Sequence, residues 1–110
     1  MELTFPLAFI LTNLLEMPVA YFFLWKTEEP KRILAAVLFL NALTLPFVWF
    51  IFPQLPFPYW HQLALSEIFA FGIEAILYIK IFKRTNAKIA ALAAIAANFI
   101  SLAIGLFLQQ

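Results

Sequence analysis

Three glutamates, Glu16, Glu67 and Glu74, sit in segments otherwise built of hydrocarbon. Glu67 and Glu74 are two helical turns apart, so both project from one helix face. An ionisable group at membrane depth is costly unless it faces protein or water, and such groups mark proton relays, ion sites and substrate paths. Two carboxylates brought together in a low dielectric cannot both stay ionised without a counterion. Either a carboxyl holds a proton, a cation sits between the pair, or a cationic ligand does. As a cofactor, a hard divalent cation would suit Glu16 and Glu74, with amide and hydroxyl oxygens completing its shell. The single histidine, His61, and the absence of cysteine argue against zinc or copper. Without cysteine, disulfides and thiol catalysis are excluded as well.

Amides and hydroxyls recur near these acids in a regular pattern. Asn41-Ala42-Leu43-Thr44-Leu45 and Asn98-Phe99-Ile100-Ser101-Leu102 share the form N-x-x-[ST]-L. Glu16 precedes Asn41 by 25 residues and Glu74 precedes Asn98 by 24, and each interval contains a basic turn. The match suggests two copies of a helical hairpin, related by a pseudo-twofold axis along the membrane normal. Thr12 and Asn13 lie one turn from Glu16 and are expected to flank its carboxylate.

These side chains need elements to hold them. With 65% apolar, 18% aromatic and 12% charged residues, the 110-residue chain reads as an all-α integral membrane protein. Four apolar runs, 3–25, 33–52, 63–82 and 89–107, each approach the ~20 residues that cross the hydrocarbon as a helix. Short connections make successive helices antiparallel neighbours in an up-and-down bundle, a single domain over 1–110. The start, Met1-Glu2, has no positive region and does not read as a cleaved signal peptide. All seven basic residues fall in two connections: Lys26, Lys31 and Arg32 in the first, Lys80, Lys83, Arg84 and Lys88 in the third. Lysine and arginine favour the cytoplasmic side, which predicts both termini outside, including Gln109-Gln110. The second connection, Pro53 to His61, reads as a proline-stiffened outer cap with Tyr59 and Trp60 at headgroup level. Glu28 and Glu29 read as a solvated turn that balances the neighbouring lysines.

Depth follows from a rise of about 1.5 Å per residue. Glu16, Asn41, Glu74 and Asn98 fall roughly 12 to 15 Å from the cytoplasmic ends, one per helix. Thr12, Asn13, Thr44 and Ser101 form a second layer just outward, Glu67 lies further out, and His61 sits at the mouth. Toward the cytoplasm stand Val19, Phe22, Phe23, Leu24, Val37, Ile76, Leu77 and Ile95, an apolar plug. Pro18 should kink the first helix near Glu16. Ala91, Ala94, Asn98, Ser101 and Gly105 form a stripe suited to close helix approach.

The expectation is a small carrier or binding protein in the cell membrane that takes a proton, a cation or a cationic or polar substrate from an outward-open cavity. A homodimer or a larger membrane complex would supply the width that four helices lack. The alternative is a non-transporting subunit or assembly factor whose polar layer packs helices. An intramembrane enzyme fits least, because Ser66 and Ser101 have no histidine or lysine at membrane depth and no H-E-x-x-H pattern occurs. Net charge of +1 without a basic block gives nucleic acid no footprint.

Overall fold

Thr4 starts the first helix: its extended backbone and its hydroxyl, which accepts the Leu7 N–H at 3.4 Å, cap α1 (Phe5–Leu24). Pro6 occupies the first turn, where a missing N–H leaves no intrahelical bond unmade. Pro30 does the same for α2 (Pro30–Pro46). The third and fourth helices are α3 (Tyr59–Ile81) and α4 (Ala87–Leu108). Asn86 Oδ1 accepts the Lys88 N–H at 2.7 Å as α4 begins. The structure, a computed structural model, describes residues 4–108. Expectations for Met1-Glu2, for the start of the first span at Leu3 and for Gln109-Gln110 lie outside the described residues.

Among the described residues these four helices form an all-α bundle, about 41 Å along its longest axis. α4 packs against α1 and α3, α1 against α2, and α2 meets α3 more sparingly. Three segments, Phe5–Leu24, Pro30–Gln54 and Ala87–Leu108, are long and apolar enough to cross a membrane. α3 matches them in length, at 23 residues, and carries both Glu67 and Glu74.

The bundle is inside out relative to a water-soluble one. Phe22, Ile68, Phe107, Leu14 and Phe39 are 62–72% exposed, whereas Glu16, Glu74 and Asn41 are each 1% exposed. Hydrocarbon around the bundle accounts for both facts, since apolar side chains on so broad an exposed face are stable against lipid and not against water.

Pro46 ends α2. It lacks the N–H that would return to the preceding turn, and the chain continues as a π-helical turn, Phe47–Ile51, then a 3-10 turn, Phe52–Gln54. The Phe52 N–H reaches back five residues to the Phe47 carbonyl. Pro18, by contrast, lies within an unbroken α1. The connection to α3 is shorter than the sequence suggests: Tyr59, Trp60 and His61 already belong to its first turn. Gln62 closes this corner, its Nε2 donating to the Pro53 and Leu55 carbonyls at 3.1 and 2.8 Å.

Burial repeats along the chain. In the first hairpin Glu16, Ala20 and Leu24 are buried, as are Glu74, Tyr78 and Phe82 in the second, 58 positions on. Ile33, Ala36, Val37, Leu40 and Asn41 of α2 correspond, at an offset of 57, to Ala90, Ala93, Ala94, Ala97 and Asn98 of α4, and all ten are buried. Thr27 and Thr85, equivalent residues of the two basic connections, touch through their hydroxyls. Side-chain volume is redistributed between the copies. The first pairs a small residue on α1, Ala20, with Ile33 and Leu40 on α2, while the second pairs Tyr78 and Phe82 on α3 with alanines on α4.

This packing corrects two expectations. The plug is built from Ala20, Leu24, Ile33, Ala36, Val37, Leu40, Tyr78, Phe82 and the α4 alanines, with Phe23 and Leu77 against it. Phe22, Ile76 and Ile95 face outward, because each lies a fraction of a turn from the buried face. The close-packed stripe of α4 is Ala90, Ala93, Ala94, Ala97 and Asn98, rotated from the predicted one. Gly105 lies outside it, with open space where a side chain would stand. Replacing Ala94 with Leu should lower bundle stability by about 1–3 kcal/mol through overpacking. Phe99→Ala, on the exposed face, should change it by less than about 0.5 kcal/mol. Chemical denaturation in micelles checks both.

Candidate functional site

Helical periodicity brings one carboxyl from α1 and one from α3 to the bundle interior at the same level. Ser101 of α4 donates to Glu16 Oε2 at 2.7 Å, and the Thr44 hydroxyl of α2, which also donates to the Leu40 carbonyl at 3.0 Å, lies 3.4 Å from Glu74 Oε2. Each glutamate is thus met by a hydroxyl of the other hairpin. Asn41 stands beside Glu16, and Asn98 stands beside Glu74. The second oxygen of each glutamate, Oε1, is buried with no hydrogen-bond partner, and so is the Tyr78 hydroxyl one turn below Glu74.

These carboxyls border a cavity of about 390 Å³. It runs from the level of Glu16 and Glu74 to the α2–α3 connection, where Trp49, Phe52, Pro53 and Tyr59 line it. The packed cluster around Leu24, Val37 and Tyr78 separates it from the basic end. Val48, Trp49, Phe52 and Pro53 reach the cavity from the π-helical and 3-10 turns, so the break at Pro46 shapes its wall.

Of the residues singled out in the sequence, Glu16, Asn41, Glu74, Asn98, Thr12, Thr44, Ser101 and Glu67 all line this one cavity. Asn13 does not. Its Nδ2 donates to the Phe9 carbonyl at 2.9 Å and its Oδ1 accepts from Asn41 Nδ2 at 3.0 Å, so it anchors Asn41 instead of flanking the Glu16 carboxylate. His61 is exposed on the first turn of α3 and does not line the cavity; its neighbour Gln62 does. The helix begins at Tyr59, and that start rotates His61 outward. Glu28 also departs from expectation. It is 6% exposed, accepts a bond from Thr85 Oγ1 at 2.9 Å and lies 3.8 Å from Arg32 Nε, which ties the two basic connections together.

Two participants, Trp49 and Tyr78, are not picked out by the sequence, and Ser66, weighed there only as a nucleophile, lies buried at the cavity wall. Trp49 has no local signal, because its inward direction depends on the π-helical turn. Tyr78 reads as one apolar-face residue among several, and only its buried, unpartnered hydroxyl sets it apart.

The arrangement concentrates negative charge capacity without a basic side chain in the lining. Among the described residues no group of three or more His, Cys, Asp or Glu converges on a metal position. A divalent ion at Glu16 and Glu74 would therefore need amide and hydroxyl oxygens for the rest of its shell. No protein-family model, curated protein or solved structure matches this chain.

A double-mutant cycle should separate the cross-hairpin pairs. Ser101→Ala and Glu16→Gln are expected to couple by about 0.6 to 1.7 kcal/mol, the range of interhelical hydrogen bonds in membranes. Ser101→Ala and Glu74→Gln should couple much more weakly, as read by unfolding in detergent.

Proposed function

We propose that this chain is a small multi-pass membrane carrier or binding protein that takes a proton or a cation at Glu16 and Glu74. One observation supports the reading above others: two fully buried carboxyls each leave an oxygen without a partner beside a cavity large enough for a guest. Polar groups kept only for helix packing satisfy one another, since an unmet buried acceptor is destabilising. Protonation or a bound cation removes the conflict between the two acids.

Asn41 and Asn98 assist at the floor, while Thr44 and Ser101 orient the carboxyls. Glu67, part-way up the wall, lies on the route from the opening, and Thr12 borders the same route. The positive-inside tendency puts the basic connections in the cytoplasm, the cavity mouth on the outer face of the cell membrane and both termini outside. A homodimer, or a larger membrane complex, would give so narrow a bundle the surface over which a transport cycle moves.

The test is reconstitution of the wild type and of Glu74→Gln, with thermal unfolding followed against pH and against calcium or manganese. Stabilisation of the wild type by falling pH or by cation, and its loss in the variant, is the expected result. A ligand at a hundred times its Kd stabilises by about 2.7 kcal/mol. If the variant is less stable and the wild type never responds to pH or ion, the polar layer serves packing and the chain is a non-transporting subunit or assembly factor.

A further inference from the structure

Resting on the cation-binding reading, and narrowing it, is the donor and acceptor inventory of the cavity floor. Glu16 Oε1 and Glu74 Oε1 are buried without a hydrogen-bond partner at the edge of the cavity. Asn41 has its amide nitrogen anchored on Asn13 Oδ1 at 3.0 Å, and Asn98 has its own on the Ala94 carbonyl at 2.9 Å. Among the described residues, nothing donates to either amide oxygen. Ser101 directs its hydrogen to Glu16, and the shorter bond of Thr44, 3.0 Å, goes to the Leu40 carbonyl. Each amide nitrogen keeps a second hydrogen beside its glutamate, yet the four carboxyl and two amide oxygens of the floor outnumber those hydrogens.

Such a floor is complemented by a cation that carries several hydrogens of its own. A primary ammonium offers three N–H donors and one positive charge, and it accepts nothing. A quaternary ammonium has the charge without the donors. A bare metal ion would meet the oxygens but leave most of a 390 Å³ cavity unused. That volume lies in the range of sites for small organic molecules, whose pockets combine apolar walls with a few placed polar groups. Here the walls are Leu11, Leu15, Leu45 and Leu63, and Trp49 and Tyr59 stand nearer the opening. We propose that the cavity binds an amphipathic primary amine, its ammonium on Glu16 and Glu74 and its apolar body between the leucines and Trp49.

Trp49 makes the cavity its own reporter. Trp25 and Trp60 are 52% and 69% exposed, so replacing both with Phe leaves one tryptophan, at the wall. This variant, in lipid nanodiscs, is titrated with 4-phenylbutylamine, with its N,N,N-trimethyl derivative, with 4-phenylbutanol and with calcium or manganese chloride. Saturable quenching by the amine is expected, with the trimethyl derivative and the alcohol at least about tenfold weaker. Glu74→Gln and, separately, Glu16→Gln should each raise the Kd of the amine at least about tenfold. Equal binding of amine and alcohol overturns the proposal, since the cavity then selects only apolar bulk. Equal binding of amine and trimethyl derivative overturns the assignment of a primary amine, and loss of both on Glu74→Gln leaves the cation reading intact. A response to metal or pH alone overturns the amine while supporting the parent reading, and no response to any of them removes both. The wild-type ligand series decides the matter even if a glutamate variant fails to fold.

Discussion

A carboxyl group cannot be left against hydrocarbon, and that restriction organises this bundle. Two acids near the middle of two helices must turn inward, which fixes how α1 and α3 are rotated about their axes. Once Glu16 and Glu74 face the interior, Ala20, Leu24, Tyr78 and Phe82 follow on the same faces, because they lie one and two turns away. The partner helices supply whatever those faces need: hydroxyls at the level of the acids, and apolar or small side chains below them.

The polar layer is shared between the two hairpins. Each glutamate is addressed by the opposite copy, Glu16 by Ser101 and Glu74 by Thr44, so neither hairpin completes its polar layer alone. The copies differ where the bundle has to differ. Large side chains are buried on α2 and α3, and alanines on α4. The other break in symmetry is Pro46. After it the helix widens and turns toward α3, and the cavity forms beside this irregular stretch.

The two ends of the molecule consequently have opposite character. At the basic end Thr27, Thr85, Glu28 and Arg32 knit the short connections together below the apolar plug. At the other end the helices enclose polar side chains and space. The cavity floor lies where the packed core begins, and the plug with the linked connections beneath it separates that floor from the basic end.

Much of this was legible in the residues themselves. Length, apolarity and proline placement announced four helices. Eight of the ten polar side chains picked out by type and spacing line one cavity. The two that do not, Asn13 and His61, show the limit of periodicity. Spacing says which residues share a face but not how far that face is turned toward a neighbour, and a small rotation converts a lining residue into an anchor or an exposed one. The same rotation separates the predicted stripe Ala91-Gly105 from the observed row of Ala90, Ala93, Ala94 and Ala97. Sequence alone determined what local hydrogen bonding and transfer from water decide residue by residue: the helices, their lipid affinity, the inward acids and the basic end. Tertiary structure decided which oxygen meets which hydroxyl, where the void lies and which acceptors stay unmet, because those depend on four helices settling together around side chains of unequal size.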